Sequence, residues 1–226
     1  MIMVTAAEIR KVTRPLMARH SELMLKRRTA YVNPVDHLAK VIIFDRYQTG
    51  RGEFRVFWAI VPMFLPMSSL GFKYGGLLME PQRRSVHTPG VEDRLIAQLE
   101  AIVFPVFDRV HTIEQFKAFA ETGLTVFSDP PNPLLGLGPR DPLKMLVDAA
   151  LGDFDAVDEA LVRFRRVGRV LSPKEQDYID TLGPPIDARD RAGVARVLHE
   201  WEAYTVRNQK VEDLWKPSPF PVEIDG

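Results

Sequence analysis

The sequence has no cysteine, which excludes disulfides, thiolate metal sites and thiol nucleophiles. No apolar run approaches the roughly 18 residues that a membrane-spanning helix needs. The longest block, Phe57 to Leu65, is interrupted by Pro62. The opening MIMVTAAEIRKV reaches charged residues before any sustained apolar stretch, so no signal peptide is expected and the chain is read as soluble and cytoplasmic. Net charge is missing as well. Thirty Lys and Arg face 30 Asp and Glu, which is not the basic balance of a nucleic-acid binder. Gly136-Leu137-Gly138 lacks the third glycine of a dinucleotide fingerprint and is followed by Pro139. No serine sits in a Gly-x-Ser-x-Gly elbow. His20, His37, His87, His111 and His199 share no spacing suited to one metal ion. Asp36-His37 reads as a turn aspartate before a strand-start histidine, because neighbours in an extended chain point to opposite faces. No catalytic residue, cofactor or metal ligand is assigned.

What is present begins with His37 to Pro62. Two apolar, β-branched and aromatic runs flank Thr49-Gly50-Arg51-Gly52, the pattern of a β-hairpin. On the second run Phe54, Val56, Trp58 and Ile60 share one face, and Arg55, Phe57, Ala59 and Val61 the other. Both faces are largely apolar, which predicts a strand covered on both sides. Upstream, Thr5-Ala6-Ala7-Glu8 is a capping box that predicts a helix with Ile9, Val12 and Leu16 inward. Pro15 predicts a kink or restart within it. Leu23 to Val32 is expected to be one edge strand, with Lys26-Arg27-Arg28 protecting it from stray pairing. Leu70 to Met79 predicts a further short strand. Leu95, Leu99, Ile102 and Val103 recur at helical spacing, and Thr112-Ile113-Glu114-Gln115 is a second capping box, with Gly123 closing its helix.

The sequence divides into an α+β sheet domain over 1–127, a Pro/Gly-rich linker over 128–142, a helical domain over 143–210 and an extended Pro-rich tail over 211–226. The tail's alternate prolines favour an extended strand of polyproline type, read as lying across its own domain with Trp215 and Phe220 in grooves. The expected architecture is α+β: a mainly antiparallel sheet covered by helices, followed by an all-helical segment. Charge is uneven between the halves. Residues 1–128 hold 17 basic and 12 acidic side chains, and residues 129–226 hold 13 and 18.

The most suggestive surface is basic and aromatic, around the sheet: Lys26, Arg28, Lys40, Arg46, Tyr47, Arg51 and Arg55. Such a surface can dock an acidic protein, bind nucleic acid by stacking and phosphate neutralisation, or simply keep a sheet edge soluble. Candidate partner-binding residues are Arg28, Arg46, Tyr47, Arg51 and Arg55.

The run of a leading helix, LMLKRRTAYV, HLAKVIIFDRYQ, EFRVFWAIVPMFLP and a helix entering VFPVFDRVHTIEQF resembles a bacterial family known as domain of unknown function 4304, over about residues 5–121. The tryptophan-rich segment of that family's middle is absent here. The family has no established activity, so the resemblance implies no site residue. Similar small α+β proteins act in toxin–immunity systems, which implies a protein partner. The expected function is a non-enzymatic bacterial protein-binding module, immunity-like or regulatory. The alternatives are an enzyme with a site between sheet and helical domain, and a weak nucleic-acid binder at the basic sheet edge. No oligomeric state is assigned.

Overall fold

The computed structural model describes residues 4–46, 52–68, 74–78, 84–122, 142–166 and 173–224. Helix α1, Ala6–Arg19, starts at the expected capping box: the Thr5 hydroxyl accepts from the Glu8 amide at 3.1 Å, and Glu8 accepts from the Thr5 amide at 2.7 Å. It runs through Pro15 as a single helix rather than restarting there. Ile9, Val12 and Leu16 form its buried stripe, as read from the periodicity.

The stretch expected to be one strand is two. β1, Leu23–Lys26, and β2, Thr29–Val32, pair antiparallel with Lys26 opposite Thr29, so Arg27 and Arg28 alone make the turn. Arg27 adopts φ 58° there. A two-residue hairpin loop needs positive φ at its first central position, where glycine, asparagine or aspartate is usual. Arginine carries no such signal, so the residues around Arg27 look like one continuous strand.

β3, Leu38–Arg46, and β4, Glu53–Pro62, form the expected antiparallel pair, from Leu38 opposite Pro62 to Arg46 opposite Phe54. Thr49 to Arg51 of the connecting turn lie outside the described residues. β5, Gly75–Leu77, pairs with the middle of β4, and β6, Arg84–Ser85, with its start. The sheet order is β1-β2-β3-β4-β5, with β6 also on β4.

Strand alternation sorts the side chains into two cores. Phe54, Val56, Trp58 and Ile60 join Ala30, Ile42 and Phe44 on the first face. Ala59 and Val61 join Tyr31, Val41 and Ile43 on the second, with Phe57 packed alongside. Each large apolar side chain removed from water this way contributes about 1.5–3 kcal/mol.

The first face is covered by α1 and by α2, Val91–Gln98, which continues through a π-helical turn, Leu99–Val103, into α3, Phe104–Phe107. Pro105 has no amide to donate, and the widened turn lies where that bond is missing. α4, Ile113–Glu121, opens at the second capping box and ends before Gly123, which lies outside the described residues. α5, Pro142–Ala150, α6, Phe154–Arg166, and α7, Pro173–Asp187, follow. Leu143, Leu146, Val147, Val157 and Leu182 belong to the same core cluster as the sheet's first face. Residues 128–141 of the expected linker lie outside the described residues.

The second face is covered differently. α8, Arg191–Gln209, capped by the Asp190 carboxylate on the Gly193 amide at 2.9 Å, lays its last turns over it. Val206 of that helix and Val211 and Leu214 of the tail complete the second core. The tail is pinned to the sheet side by Val35: its amide donates to the Leu214 carbonyl at 2.9 Å, and its carbonyl accepts from the Lys216 amide at 2.7 Å. A short helix, α9, Pro221–Ile224, ends the described chain, with Phe220 and Val222 fully buried. Among the described residues no helix is long and apolar enough to cross a membrane.

Candidate functional site

The second face is only partly covered. Beside the end of α8 the sheet is open, leaving a cleft of about 590 Å³. The β1–β2 turn lines it with Lys26, Arg27 and Arg28, and the end of α8 lines it with Asn208, Gln209 and Lys210. Thr29, Tyr31, Ile43 and Asp45 also line it. Four cations thus face a single carboxylate within the lining.

These groups are arranged unequally. Asp45 is the centre of a charged cluster: Arg55 donates to its Oδ2 at 2.9 Å, and Arg28 approaches Oδ1 at 3.9 Å. Lys26 pairs with Asp213 of the tail, and the exposed Asp213 carboxyl is held below its usual range by that hydrogen bond. The side chains of Arg27 and Lys210 make no hydrogen bond or ion pair among the described residues. Tyr31 is buried, and burial pushes its phenol up to about 12, so it stays neutral.

Of the residues expected to bind a partner, Arg28 lines this cleft and Arg55 stands next to it through Asp45. Arg46 does not join them. It follows Phe44 by two on β3 and so points to the first face, half-buried with its Nε unpartnered. Tyr47 and Arg51 lie outside the described residues. Lys40, read from sequence as part of the basic surface, also faces the first core. Its ammonium donates to the Phe107 carbonyl at 2.6 Å, and burial lowers its pKa. Sequence reasoning missed Arg27 as a turn residue, and it missed Asn208, Gln209 and Lys210, which lie about 180 residues away along the chain.

A second constellation sits where the tail crosses the start of β3. His37 Nδ1 lies 3.0 Å from Glu202 Oε1, while Nε2 lies 3.1 Å from Ser218 Oγ and 3.2 Å from the Pro219 carbonyl oxygen. Glu202 is completely buried and His37 nearly so. A cavity of about 360 Å³ adjoins them, lined also by Asp36, Thr112 and Glu114. Hydroxyl, imidazole and carboxylate in this order have the spacing of a hydrolytic triad. Two protonation states fit these distances. A neutral ring that donates from Nδ1 to Glu202 accepts from the Ser218 hydroxyl at Nε2, whereas a charged ring donates both to Glu202 and to the Pro219 carbonyl, which only accept. The charged ring cannot take the serine proton. Pro219 also has no amide, so the position after the serine offers no oxyanion donor.

The electrostatics favour the charged ring. Burial by itself pushes the His37 imidazole down. The hydrogen bond and charge of Glu202, the Pro219 carbonyl and the charge of Asp36 outweigh burial, and the pKa is raised above its ordinary 6.5. The ring also stacks on Phe220 with centroids 3.9 Å apart. His199 Nε2 meets Glu223 at 2.7 Å, and Arg191 donates to the Val222 carbonyl at 2.8 Å. The arrangement is a latch that holds the tail to α8 and β3.

Among the described residues no three His, Asp or Glu side chains are grouped as a metal ion would require. Comparison with protein families, curated proteins and solved structures finds no match to this chain.

Proposed function

We propose that the chain is a non-enzymatic docking module whose cleft takes an acidic segment of another protein. The observation that carries this reading is the lining of the cleft, where Lys26, Arg27, Arg28 and Lys210 converge from two elements around one carboxylate. The net charge of the whole chain is zero, so the positive field is local. Opposed local charge raises association rates and rejects partners of like sign.

The same lining weighs against nucleic acid. Single strands bind where exposed aromatic rings stack the bases. Tyr31, the aromatic residue of the cleft, is buried. Ile43 on the cleft floor suits an aliphatic neighbour of an acidic residue rather than a base.

Fluorescence anisotropy of a labelled oligoglutamate peptide tests the reading, with a labelled oligothymidylate as comparison. The peptide is expected to bind at low salt and to be released as ionic strength rises and the screening length drops from about 30 Å at 0.01 M to about 3 Å at 1 M. No peptide binding at low salt, or tighter binding of the nucleic acid, refutes the proposal.

A further inference from the structure

Three non-glycine residues among those described have positive φ: Arg27 at 58°, Arg189 at 54° and Lys210 at 59°. The left-handed conformation crowds the Cβ of an L-residue, and glycine or asparagine is the usual occupant. A sequence that places long basic side chains there accepts strain, and such strain persists where the side chain is used. For Arg189 the use is visible within the fold. Its guanidinium bridges Asp155 at 2.9 Å and Asp158 at 2.8 Å, and lies over the Phe154 ring.

No such internal use accounts for the other two. Arg27 occupies the first position of the β1–β2 turn. Lys210 occupies the residue just past α8, where its amide and that of Val211 close the helix on the Val206 carbonyl, a position where glycine is the commonest residue. Both are exposed, both are free of ion pairs among the described residues, and both line the same cleft, one from the turn and one from the end of α8. The remaining basic groups are partly neutralised: Lys26 by Asp213, and Arg28 and Arg55 by Asp45.

We infer that Arg27 and Lys210 are the gripping pair of the cleft, two cations held at glycine-type positions so that they close on the carboxylates of an acidic protein segment. The inference rests on the docking reading and makes it specific. Arg28 and Arg55 shape the floor through Asp45; Arg27 and Lys210 supply the unspent charge.

A helix C-terminus also attracts a lysine for its own sake, through the negative end of the helix dipole. Arg27 has no helix dipole to serve, and a charge that only guards the β1 edge from stray pairing does not need the strained turn position, so its substitution is the sharper test. Arg27→Gly relieves the strained turn while removing the cation, so stability and binding should move in opposite directions. In the full chain its melting temperature is expected to rise by about 2–4 °C, while its affinity for the labelled oligoglutamate falls about fivefold. Lys210→Gly is expected to leave the melting temperature close to that of the wild type and to weaken the peptide by a similar factor. The double variant should approach the product of the two. Arg189→Gly, the control, loses its two bridges, does not gain stability and binds the peptide as the wild type does.

If Arg27→Gly and Lys210→Gly bind the peptide as tightly as the wild type, the pair is not the grip and this inference falls while the docking reading stands. If Arg27→Gly melts lower than the wild type, the strain argument is wrong and the inference falls with it. If the wild-type chain does not bind the peptide at all, the docking reading fails and takes the inference with it.

Discussion

Glu202→Gln should flatten the pH dependence of stability that the latch imposes. Glutamine preserves the size of the side chain and an acceptor for His37 Nδ1–H, but removes the charge. Burial is the largest single influence on His37, and it lowers the pKa. The two largest opposing influences, a hydrogen bond and a charge, both come from Glu202. Without that charge the imidazole pKa drops below its wild-type value. The signs follow from linkage. In the wild type the folded pKa is raised, so the stabilisation is fully present below about 6.5 and is lost as pH climbs through the folded value. In the variant less of that stabilisation exists to lose, so its slope across the same window is shallower. Each unit of separation is worth about 1.4 kcal/mol. Below the window the variant also bears the cost of a broken buried pair, about 3 kcal/mol, or about 6–12 °C in melting temperature for a chain of this size. Urea unfolding followed by circular dichroism, from about pH 5.5 to 8.5, measures the two slopes. The difference between proteins cancels His20, His87 and His111; His199, whose Nδ1 lies 3.9 Å from Glu202 Oε2, is replaced by glutamine in both proteins so that only His37 differs. Parallel slopes, or a wild type whose stability climbs with pH relative to the variant, would refute the imidazolium assignment.

Two further outcomes follow from the packing. Phe220 is fully buried against Phe64, His37 and His199, so Phe220→Ala should cost about 3–5 kcal/mol and open the tail to limited proteolysis. An unchanged melting temperature and cleavage pattern would contradict the strapped tail. Gly75 on β5 lies so close to β4 that a Cβ would overlap the Trp58 carbonyl oxygen. Gly75→Ala should therefore destabilise by about 1–3 kcal/mol without altering peptide binding in the cleft, which thermal melts and anisotropy together would check.

Much of the frame is legible in the order of residues. The alternation of Phe54, Val56, Trp58 and Ile60 against Phe57, Ala59 and Val61 announces a strand with two covered faces, and these residues do divide between the two cores. Both capping boxes form as Thr5-Ala6-Ala7-Glu8 and Thr112-Ile113-Glu114-Gln115 imply. The site is less legible. Arg28 lies in the β1–β2 turn and lines the cleft, whereas Arg46 lies on the opposite face of the sheet, a distinction that a count of basic residues near a turn does not make.

The sequence by itself determined the features that depend on neighbours along the chain: the β3–β4 pair, the helix starts, the α+β class and the apolar sides of each element. These arise from hydrogen bonds and periodicities spanning a few residues. Only the tertiary structure decided that Lys210 and Arg27 line one cleft, or that Glu202 and Ser218 converge on His37. Those meetings are set by how α8 and the tail pack on the sheet's second face, and no local spacing records them. The same holds for the left-handed turn at Arg27. Backbone pairing between β1 and β2 imposes it on a residue whose own preference would not have announced it.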